Sequence, residues 1–67
     1  MISLTVNGEP RRFDGPLKID ALVCALELTG KRIALERNGE IVPRGRFHDE
    51  WLADGDRIEI VVAVGGG

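Results

Sequence analysis

Asp54-Gly55-Asp56-Arg57-Ile58-Glu59-Ile60-Val61-Val62-Ala63-Val64-Gly65-Gly66-Gly67 is the last stretch of this 67-residue sequence. Asp54-Gly55-Asp56 reads as a turn. Ile58, Ile60 and Val62 then alternate with Arg57 and Glu59, the period-2 pattern of a strand with one buried face. Three glycines follow the strand with no polar linker between. The other strongly apolar strand stands at the opposite end, where Ile2, Leu4 and Val6 alternate with Ser3 and Thr5. Asn7-Gly8 after it favours the positive φ angles of a tight hairpin turn. The chain should return as Glu9 to Asp14, and Pro10, which cannot donate a ladder hydrogen bond, assigns that strand to a sheet edge.

Between these ends, Gly15-Pro16 breaks the pattern. Ile19, Leu22, Val23 and Leu26 recur at i, i+3, i+4 and i+7, which predicts a helix with one apolar stripe. Lys18 is a poor N-cap, Asp20 suits the first turn, and Gly30 is the expected left-handed residue at the helix end. Ile33 to Arg37 reads as a third strand. Asn38-Gly39 turns it into a short fourth strand, Glu40 to Val42, which Pro43 stops. Arg44 to Leu52 is irregular or a short helical turn, with Trp51 and Leu52 expected to plug the core.

The order is therefore ββαβββ. A lone helix between hairpins must lay its stripe across one face of the sheet. With the first and last strands placed side by side at the centre, the prediction is an α+β β-grasp fold, a mixed sheet packed on one helix. Residues 1–64 form the domain and residues 65–67 a flexible glycine tail.

Composition narrows the function. A domain this short buries only about 60% of its unfolded surface, leaving little core to spend on an enclosed catalytic pocket. Hydrophobic residues make up 43% and charged residues 30%, as in a folded soluble domain. The net charge is -2, the cations are scattered, and one Trp and two Phe supply no series of stacking aromatics, so nucleic acid is not an expected partner. No apolar run approaches the roughly 20 residues that span a bilayer, and the N-terminus reads as a strand rather than a signal peptide. One cysteine makes neither an internal disulfide nor a cysteine metal site. These features point to the cytoplasm.

A glycine end can be no more than a frayed terminus. Here it adjoins an apolar strand of a β-grasp domain, and further segments agree. Asn38-Gly39-Glu40-Ile41-Val42-Pro43-Arg44, Asp54-Gly55-Asp56-Arg57-Ile58-Glu59-Ile60 and Val64-Gly65-Gly66-Gly67, together with the helix stripe, resemble the ThiS-type sulfur carriers of thiamine thiazole synthesis, within the ubiquitin-like superfamily. The resemblance spans essentially the whole chain. Lys18 departs from the common Ser or Thr cap, and three glycines stand where two are usual.

The resemblance implies a cycle centred on Gly67. A ThiF-like adenylyltransferase consumes ATP to adenylate the Gly67 carboxylate. Sulfur derived from cysteine through a desulfurase replaces AMP to give a thiocarboxylate. A ThiG-like thiazole synthase accepts the sulfur. The carrier itself is a protein co-substrate, with no catalytic residue, no metal and no bound cofactor. Physical chemistry accounts for the glycines. Gly65, Gly66 and Gly67, extended, reach about 10 Å beyond Val64, and without Cβ atoms they fit a partner channel too narrow for other residues.

The remaining residues are weighed against that reading. Cys24 lies off the helix stripe with no activating cation nearby and is read as a small hydrophobe. His48, between Phe47 and Asp49, matches no ligand spacing. Asp49, Glu50, Asp54 and Asp56 read as a solvated face that could also steer a basic partner. Ser3, Thr5, Arg57, Glu59 and Val61 should lie opposite the helix and flank the tail's exit, and the apolar Val61 there reads as a docking contact. Two relatives of the carrier chemistry stay open, a molybdopterin-synthase small-subunit type and a ubiquitin-like protein modifier, as does an interaction module with an inert tail.

Overall fold

The two most apolar strands meet at the centre of the sheet. The computed structural model describes residues 1–63, so the tail residues Gly65, Gly66 and Gly67 lie outside the described residues. The elements are β1 (Ile2–Val6), β2 (Glu9–Phe13), α1 (Ile19–Ala25), β3 (Ile33–Arg37), β4 (Glu40–Ile41), a 3₁₀ turn at Arg44–Arg46, and β5 (Arg57–Val62). The sheet order is β2-β1-β5-β3-β4. β1 and β5 run parallel, with Thr5 beside Arg57 and Val6 beside Ile58, and the other pairs are antiparallel. This is the predicted α+β arrangement, a mixed sheet covered by one helix.

Alternation sets the core. Leu4 and Val6 from β1, Leu35 from β3, and Ile58 and Ile60 from β5 are buried against Ile19, Leu22 and Val23 of α1. Each such side chain contributes about 1.5–3 kcal/mol of burial. Asn7-Gly8 (φ +51°, +84°) and Asn38-Gly39 (φ +52°, +88°) form the expected positive-φ hairpin turns.

Helix α1 is held at its ends by means that the sequence pattern did not show. Lys18 makes no side-chain cap bond. Instead the Ile19 N–H donates to the Glu50 carbonyl at 3.1 Å and the Asp20 N–H to the Phe47 carbonyl at 3.0 Å. The irregular segment after β4 thus caps the helix from across the core, and the Leu52 N–H donating to the Leu17 carbonyl at 2.9 Å ties it down further.

Two expectations are corrected. The helix does not run to Gly30. Its C-cap is Leu26, and Glu27 takes the left-handed conformation at φ +60°. The Glu27 N–H donates to the Cys24 carbonyl at 2.9 Å and the Leu28 N–H to the Val23 carbonyl at 3.0 Å, the paired bonds of a Schellman end. Gly30, at φ +85°, turns the chain later. Trp51 does not plug the core either: it is 55% exposed with the Lys18 ammonium 5.0 Å from its ring centroid. Phe47 fills that place, buried beside Val42 and Leu52.

Candidate functional site

The site is the exit of the chain from β5. Its last described backbone bond runs from the Ala63 N–H to the Arg32 carbonyl at 2.9 Å, so the chain stays registered on β3 up to Ala63. Val61, opposite Ala34, is 66% exposed. On the other side of β5 the strand pairing with β1 ends at Ile58. The Asn7 side chain continues it for one step, its Oδ1 accepting from the Ile60 N–H at 2.7 Å and its Nδ2 donating to the Ile60 carbonyl at 3.1 Å. Asn7 is therefore more than a turn residue.

At the start of β5, Asp56 is a buried carboxylate rather than part of a solvated acidic face. Its Oδ2 accepts from the Ala53 N–H at 2.8 Å and Arg37 Nε at 2.9 Å, and its Oδ1 accepts from Asn38 Nδ2 at 3.0 Å. Burial alone pushes the Asp56 pKa up. The hydrogen bonds from Ala53 and Asn38 and the Arg37 charge outweigh it, and the net pKa lies below the usual carboxylate value. Arg37 also pairs with Glu50 at 3.1 Å, and Arg46 with Glu50 at 3.5 Å. Asp54 Oδ1 accepts from the Ser3 N–H at 2.7 Å. Three of the four acids thus brace the fold, and of the cluster Asp49 is left on the surface beside His48, 3.6 Å away.

Ser3, Thr5, Arg57, Glu59 and Val61 all point away from the helix, but they do not all flank the exit. Because β1 runs parallel to β5, Thr5 sits beside Arg57, and the Ser3 carbonyl accepts from the Gly55 N–H at 2.7 Å. Ser3 and Thr5 therefore stand at the entry of β5, Thr5 four residues and about 13 Å from Val61 and Ser3 farther still. Val61 has Ala34 beside it, Glu59 has Glu36, and Glu36 has Ile41, which is 71% exposed. Ala34, Glu36 and Ile41 join Val61 and Glu59 on one open face. The signal for them was the register of β3 against β5, which alternation within a single strand does not contain.

Cys24 is exposed. It lines a groove of about 430 Å³ with Val23, Leu28, Lys31, Arg44 and Phe47, and His48 is not part of that lining, so no Cys/His nucleophile pair is assembled there. Among the described residues, no three His, Cys, Asp or Glu side chains are grouped to hold a metal ion, and no described helix is long and apolar enough to cross a membrane.

Comparison with known proteins adds to this geometry. The ThiS family pattern matches residues 4–67. The chain is 45% identical over 65 residues to the sulfur carrier protein ThiS of Bacillus subtilis, covering 96% of this chain and 98% of that protein. It is 39% identical over 66 residues to a thiazole synthase of Paramagnetospirillum magneticum, covering 98% of this chain but only 20% of that larger protein. The crystal structure of the thiamine biosynthesis protein ThiS from Geobacter metallireducens superposes with a TM-score of 0.83 at 36% identity, covering 98% of this chain and 100% of that one. With a family match that runs from β1 through the glycine end, the chain belongs to the ThiS family.

Proposed function

We propose that this chain is a sulfur carrier of thiamine biosynthesis, working through a Gly67 carboxylate at its terminus. The observation that supports this reading best is the family match through residue 67, on a domain whose central strand β5 ends at Val62, shortly before the glycines in sequence. The carrier supplies no catalytic group. A carboxylate is a poor electrophile, and a ThiF-like partner consuming ATP converts it to an acyl adenylate with AMP as a good leaving group. Sulfur derived from cysteine displaces AMP, and the resulting thiocarboxylate passes its sulfur to a ThiG-like thiazole synthase. The likeness to one fifth of a thiazole synthase favours that acceptor over a molybdopterin or protein-modifier route.

In this scheme the folded domain does two things. It presents Gly65, Gly66 and Gly67 from a strand anchored at Arg32, and it offers contacts that offset the cost of ordering them, about 1–2 kcal/mol per residue. The open face around Val61 and Glu59, with Ala34, Glu36 and Ile41, is the docking surface near the exit, and Arg57, Thr5 and Ser3 extend it toward the entry of β5. The test is ATP–pyrophosphate exchange with the purified activating enzyme. Intact carrier should support exchange and a variant lacking Gly67 should not. Equal exchange from both would show that the terminus is not the reacting group.

A further inference from the structure

Hydrogen bonding along β5 alternates between its two neighbours. Odd-numbered residues face β3: the Asn38 N–H donates to the Arg57 carbonyl at 2.8 Å and the Ala63 N–H to the Arg32 carbonyl at 2.9 Å. Even-numbered residues face the β1 side. The Asn7 N–H donates to the Ile58 carbonyl at 2.8 Å, and the Asn7 side chain brackets Ile60 through both its polar atoms. Val62 is next in this series. By then β1 has ended at Val6 and the chain has turned through Asn7-Gly8 into β2. The Val62 N–H and carbonyl therefore face outward past the turn, with no partner among the described residues.

An extended residue with its N–H and C=O both open on one edge is complementary to one kind of ligand, another extended backbone. Folded proteins usually cover such edges or guard them with charge or proline. Here the flanking residues are Val61, 66% exposed, and Val62, 37% exposed, both apolar. The edge opens where the chain leaves the sheet toward its tail. We propose that Val62 is the point at which an extended segment of the activating partner adds to this sheet, so that backbone pairing sets the register of the tail in the partner's channel. The proposal rests on the carrier reading above. A second copy of the chain is a poorer occupant, because that one-residue pairing would be its whole contact, far below the roughly 1,200 Å² of a stable interface, whereas the activating partner also takes the tail and the Val61 face.

Val62→Pro tests it. The Val62 N–H has no partner among the described residues, so proline removes the outward donor and places its ring at the open edge, while the bonds to β3 through Val61 and Ala63 remain. Val62→Ala controls for the lost side chain. In ATP–pyrophosphate exchange, kcat/KM for Val62→Pro should fall about tenfold below Val62→Ala, or about 1.4 kcal/mol. Amide hydrogen exchange gives a second readout that needs no variant. The Val62 amide should exchange quickly in the free carrier and slowly in the complex, while the Ala63 amide, bonded to Arg32, is protected in both. Folded Val62→Pro matching Val62→Ala, or a Val62 amide that stays fast in the complex, overturns the proposal. Dimerisation that protects Val62 without the partner overturns it as well. A parent protein that supports no exchange at all defeats the carrier reading and this inference with it.

Discussion

Asp56→Asn keeps the shape of the buried side chain and removes its charge. In the parent, one carboxylate oxygen takes the Ala53 N–H and Arg37 Nε, and the other takes Asn38 Nδ2. An asparagine can keep its oxygen toward Ala53 and Arg37, but its amide nitrogen then faces the Asn38 nitrogen, donor against donor. Asn38 cannot flip to relieve this without turning its Oδ1 away from the Arg57 N–H, from which it accepts at 2.9 Å. The substitution therefore forfeits one hydrogen bond and weakens a charge-assisted pair, together costing about 2–4 kcal/mol. In a domain of this size each kcal/mol moves the midpoint by about 4–8 °C, so Tm should drop by at least about 8 °C.

The pH dependence gives that reasoning a second test. The Asp56 pKa is lowered on folding, so its contribution is complete above the unfolded value, about 3.9, and disappears as pH falls through the lower folded value. Urea unfolding followed by circular dichroism should show the full gap between parent and Asp56→Asn at pH 7 and a narrowing gap below pH 4. A gap under about 0.5 kcal/mol at pH 7, the range of an ordinary surface change, would refute the network's role. So would a gap that stays constant into acid.

Glu27→Gly should raise stability by about 0.5–1 kcal/mol in thermal unfolding, because Glu27 holds φ +60° where glycine has no Cβ penalty; a lower Tm would show that the Glu27 side chain makes a compensating contact. Cys24→Ala should leave sulfur loading intact and stability within about 0.5 kcal/mol, since Cys24 is exposed; loss of loading in the folded variant would move the chemistry onto the thiol. Val61→Asp should fold normally and weaken adenylation at least about tenfold through KM, as expected for a charge placed in a desolvated contact. Unchanged KM would remove Val61 from the docking surface.

Much of the fold was legible because β1 and β5 carry their own alternation and each hairpin its own Asn-Gly turn. The placement of β1 beside β5 at the centre followed from their being the most apolar strands, and their parallel direction comes from the structure. What could not be read were features that depend on the offset between elements. Ser3 and Thr5 are on the expected face but at the wrong end, because alternation fixes which face a residue takes and not where a parallel neighbour begins. Asp56 looked like one acid among four, since its partners Arg37 and Asn38 lie 19 and 18 residues away. Phe47 rather than Trp51 enters the core: both lie in the segment that caps α1, but Trp51 pairs with Lys18 on the outside, and no local period marks either contact. The helix end was misplaced because a Schellman pair can form around Glu27 when packing of Leu28 offsets the strained φ.

The central claim is that the reacting atom belongs to the Gly67 carboxylate. Intact-protein mass spectrometry on the chain isolated from cells making thiamine, with fragmentation of its C-terminal peptide, measures this most directly. The account predicts a population with one oxygen replaced by sulfur, localised to Gly67 and retained in Cys24→Ala. Sulfur found on Cys24, or a chain that carries none under these conditions, would contradict it.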